Sequence, residues 1–334
     1  MVEPLVTVII PNYNGRVWLP RLLDSLAGQN DPRLLVTIVD DASTDDSFAY
    51  VRDCRPEVNA IRNERNLGFA ATCNVGLRAA RTPFVVLLNN DTYVDPDWLA
   101  EGLRPFAAPD VAAVTSLVVL AAPPHLIDTA GDVYSVAGGA IKRNHLRPRE
   151  SAASLATAVF SVSGASAFYR REALATVGWL DERFESYYED VDLGFRLAWA
   201  GFRCVFAPAS VCYHHLSSSY SPRGWRYHFN SARNAEVVWW ADMPSRLRRK
   251  YLASHLAFLG LQAANKLRQR CLLPYLAGKW AAFRRIAYIR QKRAAVARLA
   301  RVPQSRIEAL LERDWWNLHV RSRVGSSGSR EKAG

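Results

Sequence analysis

Three short apolar runs, Val6-Thr7-Val8-Ile9-Ile10, Leu34 to Val39 and Phe84 to Leu88, each stop at a polar cluster: Pro11 to Gly15, Asp40 to Asp45, and Asn89 to Asp91. Helical patterns stand between and around them. In Trp18 to Ala27, Leu19, Leu22, Leu23 and Leu26 form a single apolar stripe. Asp46 to Asp53 and Phe69 to Ala80 follow the same logic, and Thr82-Pro83 breaks the last of them before the third strand. Short apolar strands alternating with helices predict an α/β fold with a Rossmann-like, mainly parallel central sheet flanked by helices. The crossovers of such a sheet are right-handed, and its ligands gather outside the carboxyl ends of the strands. All three polar clusters fall at those ends.

Composition sets the outer bounds. Of the 334 residues, 49% are apolar and 22% charged, which suits a buried core and excludes a disordered chain, a collagen or a small disulfide scaffold. The five cysteines (Cys54, Cys73, Cys204, Cys212 and Cys271) are scattered, with no Cys-x-x-Cys pair. They read as reduced packing residues rather than disulfides or a zinc site. Met1-Val2-Glu3-Pro4 is acidic and leads straight into a strand, so no secretory signal is predicted and the chain is expected in the cytosol. The longest apolar stretch, Leu252 to Ala264, is interrupted by Ser254, His255 and Gln262 and falls short of the ~20 residues a spanning helix needs.

The polar clusters carry distinct chemistry. Asp40-Asp41 offers carboxylates that can accept hydrogen bonds from a base or from ribose hydroxyls, and equally can cap the following helix. Asp91 emerges from a dry strand, where it suits an oxygen-binding divalent cation with open positions for phosphate; a turn-forming Asn-Asp pair is the competing account. Glu189, Asp190 and Asp192 begin an amphipathic helix over Leu193 to Ala200. There the helix dipole favours ionised carboxylates. A carboxylate at such a place can be a general base for a hydroxyl group or simply a helix cap. Downstream, the β-like run Val205 to Tyr213 ends at His214-His215, placed as a metal ligand or as an ordinary packed histidine.

Taken in order, these segments resemble family 2 inverting glycosyltransferases with a GT-A fold, especially a bacterial rhamnosyltransferase-like branch. The resemblance covers roughly residues 5 to 240. It rests on Val8 to Gly15, Val39 to Asp45, Asn66-Leu67-Gly68-Phe69-Ala70 with Asn74-x-Gly76, and Leu87 to Thr92. Gly164-Ala165, Tyr169-Arg170-Arg171, Gly178 to Phe184, Tyr188 to Leu193, Pro208, Tyr213-His214-His215 and Arg233-Asn234 complete it. The resemblance implies that Pro11, Tyr13 and Asn14 border a nucleotide pocket, and that Asp41 or Asp40 reads the base, with Asp41 favoured. Asn66, Gly68, Asn74, Asn89 and Asn90 would line the sugar-nucleotide side. Asp91 matches the last residue of a D-x-D metal motif and His214 a further metal or diphosphate contact. Asn89 stands where that motif has its first acid, which leaves metal binding on fewer charges. Asp190, supported by Glu189 and Asp192, would be the catalytic base. The implied enzyme uses Mg²⁺ or Mn²⁺ and takes a sugar from dTDP-rhamnose or a UDP-hexose. It transfers that sugar to a glycan or polyprenyl-diphosphate-linked acceptor in cell-surface polysaccharide synthesis.

Charge divides the chain at Met243. Residues 1–242 hold 22 basic and 27 acidic side chains, and residues 243–334 hold 21 and 4. The expected organisation is a transferase domain over 1–242, a basic amphipathic helical region over 243–320 and a disordered tail over 321–334. In the second part Leu273, Leu276, Trp280, Phe283 and Ala287 recur at helical spacing, with Lys279, Arg284, Arg285, Arg290, Lys292 and Arg293 around them. This pattern predicts either an interfacial helix on the anionic inner face of the cell membrane or a helical pair packed on the catalytic domain. Three other accounts compete. A nucleic-acid-binding protein would need a recognisable RNA or DNA module, and a processive polysaccharide synthase would carry spanning helices and a Gln-x-x-Arg-Trp motif. A catalytically silent nucleotide binder would not need Asp91, Glu189-Asp190 and His214.

Overall fold

The computed structural model describes residues 3–216 and 224–318. Its strands are β1 (Val6–Asn12), β2 (Leu34–Asp40), β3 (Asn59–Arg62), β4 (Phe84–Leu88), β5 (Thr92–Val94), β6 (Val111–Leu120), β7 (Ile127–Thr129), β8 (Asp132–Tyr134), β9 (Ala140–Lys142), β10 (Ala158–Val159), β11 (Ser166–Arg170) and β12 (Arg203–His214). The helices are α1 (Leu19–Ala27), α2 (Ser47–Cys54), α3 (Phe69–Ala79), α4 (Trp98–Leu103), α5 (Arg171–Val177), α6 (Glu189–Trp199), α7 (Trp225–Ala241), α8 (Ser245–Arg268), α9 (Leu272–Arg284), α10 (Ile286–Arg298) and α11 (Gln304–Leu310).

The main sheet runs β10-β12-β6-β11-β4-β1-β2-β3, with β5 against β12 and β7 against β6. As expected, β4, β1, β2 and β3 are mutually parallel. The register sets Asn12 opposite Asp40, so the first two polar clusters lie side by side. Farther along, β11 runs antiparallel between β4 and β6, while β6 and β12 are parallel to each other. Strand β1 is buried on both faces. Ile9 joins one apolar layer with Val39, Leu77 and Leu87, while Val8 and Ile10 join the other with Leu22, Leu88 and Trp98. This is the period-two alternation of a strand sandwiched between helices. Each such side chain contributes roughly 1.5–3 kcal/mol when fully buried.

The expected division at Met243 is crossed by a shared core. Tyr134, Phe184, Val191, Phe195 and Trp199 pack in one cluster with Val238, Leu247, Ala282, Ile289, Val296, Ile307 and Leu311. Helix α9 lies so close to α7 that a Cβ at Gly278 would meet the Phe229 carbonyl oxygen at 2.4 Å. Its inner face buries Tyr275, Gly278 and Ala282. The outer face carries Leu273, Leu276, Trp280 and Phe283, exposed by 73%, 48%, 62% and 66%. The expected stripe therefore exists, but it ends at Phe283. The chain breaks at Arg285, and Ala287 belongs to α10. Of the basic residues expected around the stripe, Lys279 pairs with Glu236 at 2.7 Å and Lys292 is buried. No helix among the described residues is long and apolar enough to cross a membrane. The tail expected over 321–334 lies outside the described residues.

Candidate active site

Asn12 ends β1 and ties three segments together. Its amide Nδ2 donates to Asp40 Oδ1 (3.0 Å) and Ser43 Oγ (3.3 Å), and its Oδ1 accepts from Asn90 Nδ2 (2.8 Å). Asp40, fully buried, also accepts from the Ser43 backbone N–H at 3.0 Å. Its carboxylate thus holds the turn after β2. Asn14, in the left-handed region at φ 51°, accepts through Oδ1 from the backbone N–H groups of Thr44 (2.8 Å) and Asp45 (3.3 Å). These bonds leave the Tyr13 ring exposed at the mouth beside half-buried Pro11.

Asp41 receives the next loop. Its Oδ1 accepts from Asn63 Nδ2 (2.9 Å) and the Leu67 N–H (2.8 Å), and its Oδ2 accepts from the Gly68 N–H (3.0 Å). Gly68 sits at φ 86°, where a side chain would be strained. Asn66, just before it, is exposed on the rim. Asn74 lies deeper. Its Nδ2 donates to the Leu180 carbonyl (2.8 Å) and Glu182 Oε1 (2.9 Å), and its Oδ1 accepts from the Leu180 N–H (3.1 Å). In this structure Asn74 therefore clamps the segment before α6 to α3.

The strand order brings the third cluster to the same mouth. After β4, the Asn89 N–H donates to the Ala165 carbonyl (3.2 Å), and Asn90 faces Asn12. His214 stands opposite Thr92 in the β12–β5 ladder, which sets its ring beside Asp91, with Nε2 3.2 Å from Oδ1. The other ring nitrogen, Nδ1, is 3.0 Å from Oδ2 of Asp128, at the centre of β7. Asp128 is fully buried and also binds the Lys142 ammonium, at 2.6 and 2.9 Å. Burial pushes the Asp128 carboxyl up, but the His214 hydrogen bond and the Lys142 charge outweigh it and hold it well below the usual range. For His214, burial opposes the charged form. Hydrogen bonds to Asp128 and Asp91 overcome that and raise the imidazole to about 9.

Asp190 reaches the mouth from the first turn of α6, half-buried, with its Oδ1 accepting from the Val191 N–H at 2.8 Å. Burial raises its carboxyl, and backbone hydrogen bonds from Val191 and Gly164 partly oppose this. Gly164 adjoins Ala165, whose carbonyl accepts from the Asn89 N–H, so two consecutive residues join Asp190 to the Asn89–Asp91 turn. Glu189 is buried behind it. Burial and the neighbouring Asp190 charge push Glu189 well up, and its Oε2 has no hydrogen-bond partner among the described residues. Asp132, also buried, holds Ser161 Oγ at 2.9 Å, and burial followed by the Asp190 charge raises it.

Among the described residues no three His, Cys, Asp or Glu side chains converge on one point that could hold a metal. Asp91 and His214 nevertheless offer a carboxylate oxygen and an imidazole nitrogen 3.2 Å apart at the sheet edge. Two protein donors fit a divalent cation whose remaining positions are filled by diphosphate oxygens and water. Sequence reasoning missed Asn12, Asp128, Asp132 and Lys142. Only Asn12 stands within a motif it had singled out.

Residues 7–178, a little over half of the chain, match the family model for glycosyl transferase family 2. Among curated relatives, the pre-mycofactocin glycosyltransferase of Mycobacterium tuberculosis is 33% identical over 215 residues, 63% of this chain and 42% of that protein. The O-antigen biosynthesis protein RfbC of Myxococcus xanthus is 30% identical over 65% of this chain, which spans 18% of that protein. The chain thus covers well under two thirds of these two relatives. The N-acetylglucosaminyl-diphospho-decaprenol L-rhamnosyltransferase of M. tuberculosis is 27% identical over 64% of this chain and 77% of its own length. Among solved structures, the mannosyltransferase PcManGT of Pyrobaculum calidifontis, in complex with GDP-Man and Mn²⁺, superposes with a TM-score of 0.54. It is 20% identical, covering 98% of this chain and 84% of that one. GalNAc-T7 with UDP, GalNAc and Mn²⁺ gives a TM-score of 0.59 at 17% identity, over 86% of this chain and 57% of that one. These neighbours bear out the GT-A fold with its helical C-terminal region.

Proposed function

The chain belongs to glycosyl transferase family 2, and we propose that it moves a rhamnosyl or hexosyl group from dTDP-rhamnose or a UDP-hexose to a glycan or polyprenyl-diphosphate-linked acceptor, inverting the anomeric centre. The observation that supports this reading is the Gly164-Ala165 link, which ties Asp190 to the turn that brings Asp91 against His214. One group there can take a proton while the pair faces a diphosphate.

Asp190 accepts the proton of the acceptor hydroxyl as that oxygen attacks the anomeric carbon. The attack comes from the face opposite the departing nucleoside diphosphate, so a single displacement inverts the centre. A base works best when its affinity for protons is raised toward the working pH, and burial moves Asp190 in that direction. Asp91 and His214 would hold Mg²⁺ or Mn²⁺, which when bound neutralises charge on the leaving diphosphate. Tyr13, Asn14 and Asn66 stand on the rim where a nucleotide would lie. Asp40 and Asp41 can still meet a base only through the oxygen lone pairs their loop bonds leave open.

An acceptor carried on a membrane lipid places the enzyme against the cytosolic face of the cell membrane. The exposed apolar face of α9, in a segment rich in arginine, supports this placement. Relatives named for O-antigen synthesis and for transfer to a decaprenol-linked sugar agree with a role in cell-surface polysaccharide synthesis.

The test is to screen dTDP-rhamnose, UDP-glucose, UDP-galactose and GDP-mannose with Mn²⁺ or Mg²⁺ for thermal stabilisation and for release of the nucleoside diphosphate. A true donor raises the melting temperature by mass action and is slowly hydrolysed in the absence of acceptor. Absence of both effects across the panel would overturn the reading.

A further inference from the structure

We propose that Asp128 is a positioning residue that presents His214 to the cation of the donor complex, an inference that rests on the glycosyltransferase reading. Four neighbouring strands build the arrangement. β7 pairs with β6, β6 with β12 and β12 with β5, so Asp128, His214 and Asp91 line up across the sheet edge. The His214 ring bridges the two carboxylates, with Nδ1 3.0 Å from Asp128 and Nε2 3.2 Å from Asp91.

The two ends of this bridge are not equivalent. Asp128 is fully buried and held by the Lys142 ammonium at 2.6 Å. An ionised carboxylate only accepts hydrogen bonds, so Nδ1 must donate to it. That fixes Nδ1 as a donor to Asp128 and leaves Nε2 as the nitrogen turned toward Asp91, the one that would meet a cation bound there. A histidine metal ligand whose other ring N–H is held by a carboxylate has a fixed ring plane and a more basic coordinating nitrogen. The His145 ring adds to the support, with Nδ1 2.8 Å from the Asp128 backbone oxygen. Lys142 balances the charge of Asp128 and lets the carboxylate remain ionised in a dry place.

The experiment follows Mn²⁺ binding to the full chain by electron paramagnetic resonance of the free ion, with UDP and with dTDP as the nucleotide probes. Asp128→Ala is expected to weaken Mn²⁺ binding about 10–100-fold, the usual cost of losing such a support. In a His214→Ala background the same substitution should change nothing further, because its effect passes through the imidazole. Wild-type affinity in Asp128→Ala, or an equal loss in the His214→Ala background, would overturn the proposal. If Asp128→Ala does not fold, Asp128→Asn replaces it. Its amide oxygen can still accept from Nδ1 but carries no charge, so a several-fold loss is expected and an unchanged affinity overturns the inference. If the wild-type chain binds no Mn²⁺ with either nucleotide, the cation reading of Asp91 and His214 fails, and this inference fails with it. Failure confined to the variants leaves that reading standing.

Discussion

Lys292, in α10, lies 2.5 Å from Asp192, in α6, with the two side chains 6% and 0% exposed. The same ammonium reaches Asp181 at 2.8 Å, and Arg196 meets Asp192 from the other side at 2.8 Å. Burial pushes Asp192 up, but the charges of Arg196 and Lys292 prevail and hold it at about 2. The helix that starts with Glu189-Asp190 is therefore pinned by a residue from the basic C-terminal region. Breaking a buried pair on one side costs about 3–5 kcal/mol. Lys292→Met should lower the urea midpoint by a corresponding amount, and turnover should fall as α6 loosens. An unchanged midpoint would show that Arg196 alone satisfies Asp192.

Glu189 and Asp190 are adjacent, yet their surroundings give them different work. Asp190 opens on the mouth, while Glu189 is buried and pushed toward its neutral form. Asp190→Asn should reduce kcat by roughly 10²–10⁴-fold, the range of general-base catalysis, with donor-induced thermal stabilisation intact. Glu189→Gln keeps the shape of a side chain that burial and the Asp190 charge push toward its neutral form, and should cost far less. Equal losses in steady-state assays would remove the distinction.

Asp91→Ala should act on the donor instead. The variant is expected to need much more Mn²⁺ for half-maximal donor stabilisation, while Asp190→Asn keeps the wild-type requirement. Measuring melting temperature against Mn²⁺ at fixed sugar nucleotide separates the two. A metal requirement unchanged by Asp91→Ala would take that carboxylate out of the cation site.

What the sequence disclosed follows from how local each signal is. The places of Asp91 and Asp190 in the fold were legible because an apolar strand or an amphipathic helix fixes where the adjoining residue emerges. Asp128 was not. It is the middle residue of a three-residue strand, too short for periodicity, and its partner His214 is 86 positions away. Lys292 read as part of a charged rim because nothing nearby in the chain announces Asp181 and Asp192, its buried partners. Asn74 matched a sugar-nucleotide motif, whereas its hydrogen bonds go to Leu180 and Glu182, about a hundred residues downstream. In each case the deciding contact is long-range, and helix or strand spacing carries no record of it.

Glu236 makes an acid-labile link between α7 and the C-terminal helices. It meets Lys279 of α9 at 2.7 Å and His255 of α8 at 3.3 Å. Burial alone would raise its carboxyl, but the Lys279 charge and the His255 hydrogen bond depress it to about 2. A depressed carboxyl contributes stability that is complete above its unfolded value and fades as pH falls through its folded one. Stability should therefore decline between about pH 4.5 and pH 2 by on the order of a few kcal/mol from this group. In Glu236→Gln that component of the acid limb should be missing in urea unfolding series, with the variant already less stable at pH 7. A pH profile identical to wild type would refute the assignment.

The outer face of α9 supplies the last expectation. Leu273, Leu276, Trp280 and Phe283 are exposed, and the Trp280 and Phe283 rings stack with centroids 5.6 Å apart. Arg268 and Arg270 precede this face, Arg284 and Arg290 follow it, and all four are exposed with no ion pair among the described residues. Between residues 243 and 307 the chain has sixteen Lys and Arg and no Asp or Glu. An apolar ridge bracketed by arginine suits an anionic bilayer, where buried apolar area and about 1 kcal/mol per basic residue act together. The chain should float with vesicles containing phosphatidylglycerol at low salt, bind less as salt rises, and bind weakly to purely zwitterionic vesicles. Trp280→Ser with Phe283→Ser should abolish flotation without moving the melting temperature, because neither ring supports the core. Arg284→Gln with Arg290→Gln should weaken binding at low salt and flatten its salt dependence. Flotation that survives loss of both aromatic side chains would place the contact elsewhere, and retention on DNA rather than on vesicles would mark the basic segment as a nucleic-acid surface.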